Sequence, residues 1–458
     1  MKKLYPISLF VFLFFFLTPN SNAAPDTIIL DMNNLTSPDM VKEFYESRNY
    51  EPAWTKQGRY SLKAYSFIYL LNNAQYYGLN SENYHLKELM TLKDARPSDK
   101  NTGRMESLLT DSFFTFANHL ESGQLEKETL TLRGIDKERE SITIAFLENA
   151  LKSHSIKAEL ESLEPAHPNY QKLKAELERK LENLYKNSFW SEKDGNELKL
   201  EIQKLALNME RWRWEDEEFG NRYVFVNLPS FMLEVWEDDK VTMTSKIIVG
   251  SARQKTPIMT SQINNYIIHP TCVPEQILAE ELIPIIIKDP SYISRNNYEI
   301  LDKGQLIDAS TISWDSYIEE TFPYVLRQPD PDHKTLGHIK FMLDSTSMIH
   351  DRESGLLFFR NIRALSSGCI IIEKAEDLAQ YLVLGDDGLS PSQLKEMLEN
   401  QAYKEVKVMQ PLNVYVRYFT ADGTKMYPDV YGMDQPLLAY FDDIVKWDRS
   451  NLNLQRTR

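Results

Sequence analysis

The sequence predicts an α+β protein in which an N-terminal α-helical scaffold domain precedes a β-rich domain that carries a helical insertion. Up to about Lys204, apolar residues recur at the three- and four-residue spacing of amphipathic helices. From near Asn208 they alternate with polar residues, as on half-buried strands. Hydrophobic residues make up 42% of the 458 positions, which is enough to fill the cores of two or three domains.

The first 23 residues have the three-part pattern of a secretory signal peptide. Lys2 and Lys3 are basic, residues 7–17 are almost all apolar, and small residues end the segment at Ala23. The apolar run is short for a membrane span. We therefore expect export by a cleavable signal peptide, a periplasmic location and no membrane span in the mature chain. The alternative is an uncleaved N-terminal anchor.

The helical scaffold domain is predicted to span residues 25–205. Its first helix follows Ser37, and we expect the Ser37 side chain to cap that helix. Residues 168–185 carry few apolar positions among many charges, which predicts a helix with one face in solvent. Other helices are predicted from SLKAYSFIYLLNNAQYYGL, MESLLTDSFFTFANHLESG and SITIAFLENALKS.

The β-rich domain is predicted to span residues 206–440, with a polar tail at 441–458. Residues 222–250 read as successive strands with a hairpin at 237–240. A mostly helical lid is expected at about 275–332, because apolar residues there lose their alternation. Further short strands are predicted from NNYIIH, GHIKFML, SMIH, GLLFF, GCIIIE and LNVYVRYFTA.

Charge and composition exclude several classes of function. A net charge of −15 argues against nucleic-acid binding, which requires basic surface patches. Eight histidines and two cysteines without metal-ligand spacing predict neither a metal site nor a cofactor. Two cysteines do not form a disulfide scaffold, although they could form one bridge after export.

Cys369 is the first candidate for chemistry. It follows Ser-Ser-Gly, and His350 lies nineteen positions before it. Both residues border short predicted strands, so neighbouring strands could place them side by side. An imidazole could then take the thiol proton, while the glycine turn directs backbone N–H groups at an oxyanion. The alternative is a buried cysteine that packs as a small hydrophobe, and spacing alone leaves both open.

The segment IHDRESGLLFFRNIRALSSGCIIIEKAEDLA resembles the active-site segment of YkuD-type L,D-transpeptidases of peptidoglycan. It is most similar to the large YcbB-type subfamily, which has Ser-Ser-Gly-Cys where most relatives have a second histidine before Gly-Cys. The stretches LNMERWRW, VNLPSFMLEVWED and IIVGSARQKTPIM resemble the start of that catalytic domain, and FYESRNYEPAW resembles its helical scaffold. The resemblance covers most of the mature chain and implies a β-sandwich catalytic domain.

The resemblance implies roles for individual residues. Cys369 matches the nucleophile, and His350 matches the general base that later serves as acid. Gly368 and the Cys369 backbone match the oxyanion donors, while Ser367 and Arg363 match residues of the active-site loop. The family reaction cleaves a tetrapeptide stem before its terminal D-Ala, forms a thioester, and transfers it to a side-chain amine to give 3→3 cross-links. It uses no metal or cofactor, and carbapenems target the cysteine.

Ile371 departs from the family pattern, which usually has Arg two positions after the cysteine. That Arg is thought to hold substrate near the nucleophile. We therefore expect Ile371→Arg to leave the fold intact and to speed acylation, unless Arg360 or Lys374 has taken over the role.

Cys272 stands in a stretch that carries Trp-Asn in the family and, by resemblance, lines the same pocket. It could bridge to Cys369 as a redox partner, or it could be a small apolar replacement. The peptidoglycan-binding insert of the subfamily is expected to be missing, since only a short stretch separates scaffold and catalytic domain.

Three functions remain open from the sequence. The first is a periplasmic L,D-transpeptidase acting on peptidoglycan stem peptides. The second is a catalytically impaired pseudo-enzyme that binds peptidoglycan or a partner. The third is an L,D-carboxypeptidase or endopeptidase that uses water as the acceptor, because exclusion of water from the site is not readable from sequence.

Overall fold

The computed structural model describes the chain apart from its two ends and several internal stretches. The described residues are 27–125, 142–186, 191–215, 219–271, 273, 278–303, 305–318, 322–328, 337–343, 348–352, 355–384, 389–400 and 403–445. The predicted signal peptide lies outside these ranges, as does most of the predicted tail. Within them, none of the helices combines the length and apolar character needed to cross a membrane.

The N-terminal part is helical, as predicted. Its helices are α1 Pro38–Ser47, α2 Leu62–Asn72, α3 Leu86–Lys93, α4 Asp99–Ser122, α5 Ile144–Lys152, α6 Ile156–Glu161, α7 Pro168–Lys186 and α8 Glu192–Arg213. A short ribbon, β1 Thr55–Lys56 and β2 Arg59–Tyr60, lies between α1 and α2. Helix α4 is buried along most of its length, so it forms the centre of this domain.

The predicted side-chain cap of α1 by Ser37 is wrong. The Ser37 hydroxyl makes no capping hydrogen bond, and Pro38 occupies the first turn, where a missing N–H costs nothing. The Ser37 backbone N–H instead donates to the buried Asp111 carboxylate at 2.6 Å. The start of α1 is therefore fixed to α4 by a tertiary contact rather than by a local cap.

Helix α7 confirms the one-sided pattern of its sequence. Leu173, Leu177 and Leu181 are fully buried against α8, while Glu178 and Arg179 between them are exposed. Helix α8 extends to Arg213, so it crosses the boundary that the sequence predicts at 205/206.

The C-terminal part is built on one large sheet. Its strands are β3 Arg222–Asn227, β4 Met232–Glu237, β5 Lys240–Gly250, β6 Met259–Ile268, β10 Ile339–Met342, β11 Met348–His350, β12 Ala364–Ser366, β13 Ile370–Ile372 and β14 Lys404–Arg417. The strand order is β12-β5-β13-β11-β10-β6-β14-β3-β4, and β4 also pairs with the first half of β5. The sheet therefore folds back on itself around an apolar interior.

The hairpin predicted at 237–240 joins β4 to β5. Glu237 pairs with Lys240, and Asp238 and Asp239 adopt φ values of 48° and 60°. Two consecutive left-handed residues form the turn whose twist suits a two-residue hairpin. Aspartate is among the side chains that tolerate this backbone region best.

The lid between β6 and β10 is only partly helical. Its described residues begin with a π-helical turn at Leu278–Leu282, followed by α9 Ile283–Lys288 and α10 Tyr292–Arg295. A three-stranded antiparallel sheet then follows, with order β8-β7-β9: β7 Glu299–Asp302, β8 Gln305–Ile307 and β9 Val325–Arg327. The expectation of a mostly helical lid therefore fails for its second half, where Ile300 and Leu326 pair across strands and fill the lid core.

The stretch GLLFF is not a strand. It forms a 3₁₀ turn at Gly355–Phe359, in which Phe358 is buried while Leu356 and Phe359 are 83% and 78% exposed. A continuous apolar run carries no alternation, so it does not distinguish a strand from a helical turn. Helices α11 Ala375–Leu384, α12 Pro391–Glu399 and α13 Gln435–Leu438 are the remaining α-helices of the described residues.

Candidate active site

His350 and Cys369 lie on neighbouring strands of the large sheet. His350 is the last residue of β11, and Cys369 directly precedes β13. These strands are parallel, with Ile349 opposite Ile370 and His350 opposite Ile371. Cys369 is therefore offset from His350 by two positions along the strand direction.

The two side chains point to the same face of the sheet. Ile349 and Ile370 belong to the apolar interior. His350 and Cys369 are each one position away from them, so strand alternation turns both to the opposite face. On that face Cys369 is 3% exposed and belongs to the same apolar cluster as the lid residue Leu282.

The hydrogen bonds of His350 select one tautomer. Its Nδ1 lies 2.8 Å from the Asp351 carbonyl oxygen, which can only accept, so Nδ1 carries the proton and Nε2 is left as the acceptor. Burial lowers the pKa of His350, because desolvation disfavours the imidazolium. The Asp351 carboxylate accepts from the Ile339 N–H at 2.7 Å, which anchors the segment that orients the ring.

The turn at Cys369 is fixed by hydrogen bonds that its carbonyl groups accept. Gly368 has a φ of +106°, a conformation that favours glycine. Its carbonyl accepts from the Thr256 hydroxyl at 2.9 Å, and the Thr256 oxygen also accepts from the Gly250 N–H at 2.8 Å. The Ser366 hydroxyl donates to the Cys369 carbonyl at 2.6 Å. These bonds fix the orientation of the peptides that flank the thiol.

Ser367 connects this turn to the lid. Its hydroxyl donates to the Glu281 carboxylate, which comes from the π-helical turn at Leu278–Leu282. Glu281 also acts on His350, where its charge opposes the larger effect of burial on the imidazole pKa. The lid thus brings one acidic group to the side of both His350 and the nucleophile turn.

Arg363 lies apart from this face. Its guanidinium donates to the carbonyls of Ile247, Arg360 and Phe231 at 2.8–2.9 Å, and its charge lies 5.3 Å from the centre of the Phe231 ring. Burial lowers the pKa of this guanidinium. The hydrogen bonds of Arg363 hold the backbone of the segment that leads to Cys369, rather than forming part of the surface beside the thiol.

Ile371 is a buried neighbour of His350. It is 3% exposed and packs with Ile248 and Phe358. On the other side of His350, β10 places Lys340 directly opposite, with 9% exposure. A cation therefore flanks the histidine even though position 371 is apolar.

Cys272 lies outside the described residues, so the redox pairing with Cys369 stays a prediction. Among the residues that the structure describes, no three His, Cys, Asp or Glu side chains are grouped closely enough to hold a metal ion.

Two residues of this site are missed by reasoning from the sequence. Glu281 lies 86 positions from Ser367, and Thr256 lies 112 positions from Gly368. The signal for Glu281 is a charged residue between the buried Leu278 and Leu282, which indicates an acidic group carried on a packed turn. Thr256 stands in the irregular stretch between β5 and β6, and its surroundings in the sequence carry no pattern.

Comparison with known families assigns both parts of the chain. Residues 39–177 match the family model described as the scaffold domain, and residues 221–395 match that of the YkuD L,D-transpeptidase catalytic domain. A curated Haemophilus influenzae protein that bears the name "Putative L,D-transpeptidase" is 36% identical over 254 residues. The match covers 53% of this chain and 51% of the relative, so the chain spans about half the length of that protein.

Two solved structures are more remote. A mutant of the Enterococcus faecium L,D-transpeptidase with a cysteine replaced by serine is 14% identical, covering 43% of this chain and 50% of that one, with a TM-score of 0.19. An L,D-transpeptidase from Mycobacterium smegmatis is 12% identical, covering 43% of this chain and 58% of that one, with a TM-score of 0.20. These two likenesses are too distant to support a conclusion about this chain.

Proposed function

The chain belongs to the L,D-transpeptidase family through its YkuD-type catalytic domain, and we propose from this premise that it is a periplasmic, cysteine-dependent L,D-transpeptidase. Its donor is a peptidoglycan tetrapeptide stem, its acceptor is the side-chain amine of a second stem, and its product is a 3→3 cross-link. The periplasmic location rests on the signal-peptide pattern of residues 1–23.

The observation that carries this proposal is the shared face of His350 and Cys369. Neighbouring parallel strands present both side chains to one side of the sheet, and the Asp351 carbonyl leaves Nε2 of His350 as a proton acceptor. A base and a thiol presented together are the arrangement that activates a cysteine nucleophile. A structural cysteine would need no oriented imidazole beside it.

Acylation proceeds in two proton transfers. Nε2 of His350 takes the thiol proton, and the sulfur of Cys369 attacks the carbonyl carbon of the third stem residue. Backbone N–H groups at Gly368 and Cys369 stabilise the oxyanion. The C–N bond to the terminal D-Ala then breaks, and His350 returns the proton to the departing amine. The enzyme is left as a thioester on Cys369.

Deacylation reverses these roles. The acceptor amine attacks the thioester carbon, the C–S bond breaks, and the proton lost by the amine returns through His350 to the sulfur. Water can take the place of the amine, in which case the product is a shortened stem. The lid residues packed around Cys369 support transfer, because a dry site favours a bound amine over water.

The test is mass spectrometry combined with product analysis. The intact protein is treated with a carbapenem, and disaccharide-tetrapeptides are offered in a separate reaction. We expect a covalent adduct on Cys369, together with release of D-Ala and formation of 3→3 linked dimers. Cys369→Ala should lose all three, while Cys272→Ala, which changes the other cysteine of the chain, should keep the adduct.

Each of the other outcomes would indicate a different function for this protein. An adduct with shortened stems but no dimers would indicate an L,D-carboxypeptidase or endopeptidase that uses water. A folded protein without adduct or turnover would indicate a pseudo-enzyme that binds stems or a partner. Turnover that survives in Cys369→Ala would overturn the cysteine mechanism.

A further inference from the structure

Glu281 places a carboxylate at the nucleophile turn. It accepts a hydrogen bond from the Ser367 hydroxyl, two positions before Cys369. The turn that carries it is fixed at both ends, because Leu278 and Leu282 are buried in the same apolar cluster as Cys369. The lid cannot cover the thiol in this arrangement without bringing the carboxylate to it.

The charge of Glu281 differs from that of other acidic groups on the lid. Asp289 forms an ion pair with Arg295, and Glu299 forms one with Arg327 at 2.6 Å. Among the described residues, no Lys or Arg forms such a pair with Glu281. Its hydrogen-bond partner is a neutral hydroxyl, so its negative charge is available to a ligand.

The second half-reaction brings a cation to this place. The acceptor side-chain amine is protonated in bulk water at neutral pH, and it must reach the thioester on Cys369 to react. An ammonium group forms charge-assisted hydrogen bonds with a carboxylate. Water, the competing acceptor, is neutral and gains little from the same charge.

We propose that Glu281 is the residue that selects the acceptor, by binding the ammonium group of the second stem beside the Cys369 thioester. This inference rests on the proposed function. The bound ammonium group first gives up one proton to bulk water, which leaves an amine with a free electron pair. As this amine attacks, the C–N bond forms and the C–S bond breaks, and a second proton passes to His350 and then to the sulfur. The Glu281 carboxylate takes no part in either proton transfer. The lid thereby biases the acyl-enzyme towards transfer and away from hydrolysis.

The experiment measures how the acyl-enzyme is divided between acceptors of different charge. The full-length protein is acylated with a tetrapeptide donor in the presence of two nucleophiles. One is a tripeptide stem with a diamino acid at its third position, which is cationic, and the other is hydroxylamine, which is uncharged at neutral pH. The cross-linked product, the hydroxamate and the hydrolysed stem are quantified by mass spectrometry.

We expect Glu281→Gln to lower the ratio of cross-link to hydroxamate about tenfold, the loss expected when a charged hydrogen bond becomes a neutral one. The glutamine keeps an oxygen for the Ser367 hydroxyl, so the lid contact is retained. Glu281→Asp keeps the charge and should retain part of the preference. Glu299→Gln makes the same change of charge elsewhere on the lid and should leave the ratio unaltered.

The possible outcomes distinguish the role proposed for Glu281 from the transpeptidase function proposed for the protein. If Cys369 forms an acyl-enzyme in Glu281→Gln and in Glu281→Asp, but the ratio stays at its wild-type value, Glu281 does not select the acceptor and the transpeptidase proposal stands. If no acyl-enzyme forms on wild-type Cys369, both proposals fall together. Melting temperatures identify a variant that is misfolded, and the other variant then decides.

Discussion

At the scale of single residues, His350 has a tautomer fixed by a hydrogen bond and a lowered pKa. Its ring is 2% exposed, and burial lowers its pKa below the ordinary value of 6.5 because the imidazolium loses its hydration. The neutral form, which the attack on substrate requires, therefore persists to a lower pH than in an exposed histidine. The same shift acts on stability, which is full above pH 6.5 and is lost as the pH falls below it.

We predict that the rate of carbapenem acylation falls on the acid side with a midpoint below pH 6.5. His350→Ala should lower the rate by about 10²–10⁴-fold, the usual contribution of a general base. The measurement is a pH series of acylation rates by stopped-flow or quenched mass spectrometry. A midpoint at or above pH 6.5, in a protein that remains folded, would show that burial does not control this histidine.

Ile371 gives a second prediction at this scale. Its burial with Ile248 and Phe358 changes the expectation that arginine there leaves the fold intact. A guanidinium at this position would have to be buried without a partner or displace the packed side chains. We expect Ile371→Arg to lower the melting temperature, whereas Ile362→Arg, at a side chain that is 49% exposed between the 3₁₀ turn and β12, should not. Faster acylation at unchanged stability would restore the original expectation.

The sequence identifies those residues of the site whose chemistry shows locally. A cysteine after Ser-Ser-Gly and a histidine at a strand end can be recognised from their neighbours. Thr256 and Glu281 cannot, because their contacts with Gly368 and Ser367 are created by the packing of distant segments. Nothing in their immediate sequence records those contacts.

At the scale of elements, the turn from β12 to β13 positions the nucleophile. Gly368 is at φ +106°, and a Cβ there would be strained by about 1–3 kcal/mol. We predict that Gly368→Ala slows carbapenem acylation more than tenfold, because relief of the strain rotates the peptides beside Cys369. Gly355→Ala is the matched control, since a Cβ at Gly355 meets no heavy atom within 4 Å. Equal acylation rates in the two variants would show that the turn tolerates a side chain.

Arg363 holds the segment that enters this turn. The lysine ammonium donates from a single nitrogen, whereas the guanidinium donates from three nitrogens spread over a plane, so lysine cannot reach all three separated carbonyls. We predict that Arg363→Lys costs about 1–3 kcal/mol of unfolding free energy, as expected when buried carbonyls lose their donors. Arg360→Lys, at an exposed side chain, should cost little. The measurement is urea denaturation followed by circular dichroism, and equal midpoints would contradict the role.

The elements that the sequence predicts best are those with an unambiguous period. The alternation in β4 and in the first half of β5 and the leucine spacing in α7 each predict one type of element. GLLFF has no hydrophobic period, and it forms a 3₁₀ segment rather than the predicted strand. The strands of the lid sheet are short, and the pairing of β7 with β9 joins Glu299 to Arg327, which are 28 positions apart in the sequence. Local propensity is too weak to predict such pairings.

At the scale of the whole molecule, buried ion pairs join the helical part to the sheet. Arg211 Nη2 lies 2.8 Å from Asp434 Oδ1, and Arg417 Nε lies 2.7 Å from both oxygens of Glu215. All four side chains are at most 6% exposed. The domain boundary that the sequence predicts at 205/206 divides α8, and the part after it, which carries Arg211, packs on the segment after β14. The C-terminal end of α8 is thus packed and ion-paired against the catalytic domain.

The last prediction concerns that connection. Arg211→Ala leaves the Asp434 carboxylate buried, with the Thr420 hydroxyl as a donor but without its counter-charge. We expect a loss of about 3–5 kcal/mol of unfolding free energy, the usual effect of removing one partner of a buried pair. Arg179→Ala breaks an ion pair whose arginine is 63% exposed, and it should cost about 1 kcal/mol or less. Denaturation is followed both by circular dichroism, which reports the helices, and by carbapenem acylation, which reports the sheet. If the helical signal and the acylation competence shift together in Arg211→Ala, the two parts unfold as one unit. If acylation is lost at a lower denaturant concentration while the helical signal keeps its wild-type midpoint, the scaffold unfolds independently of the sheet, and the contacts of α8 do not couple the two parts.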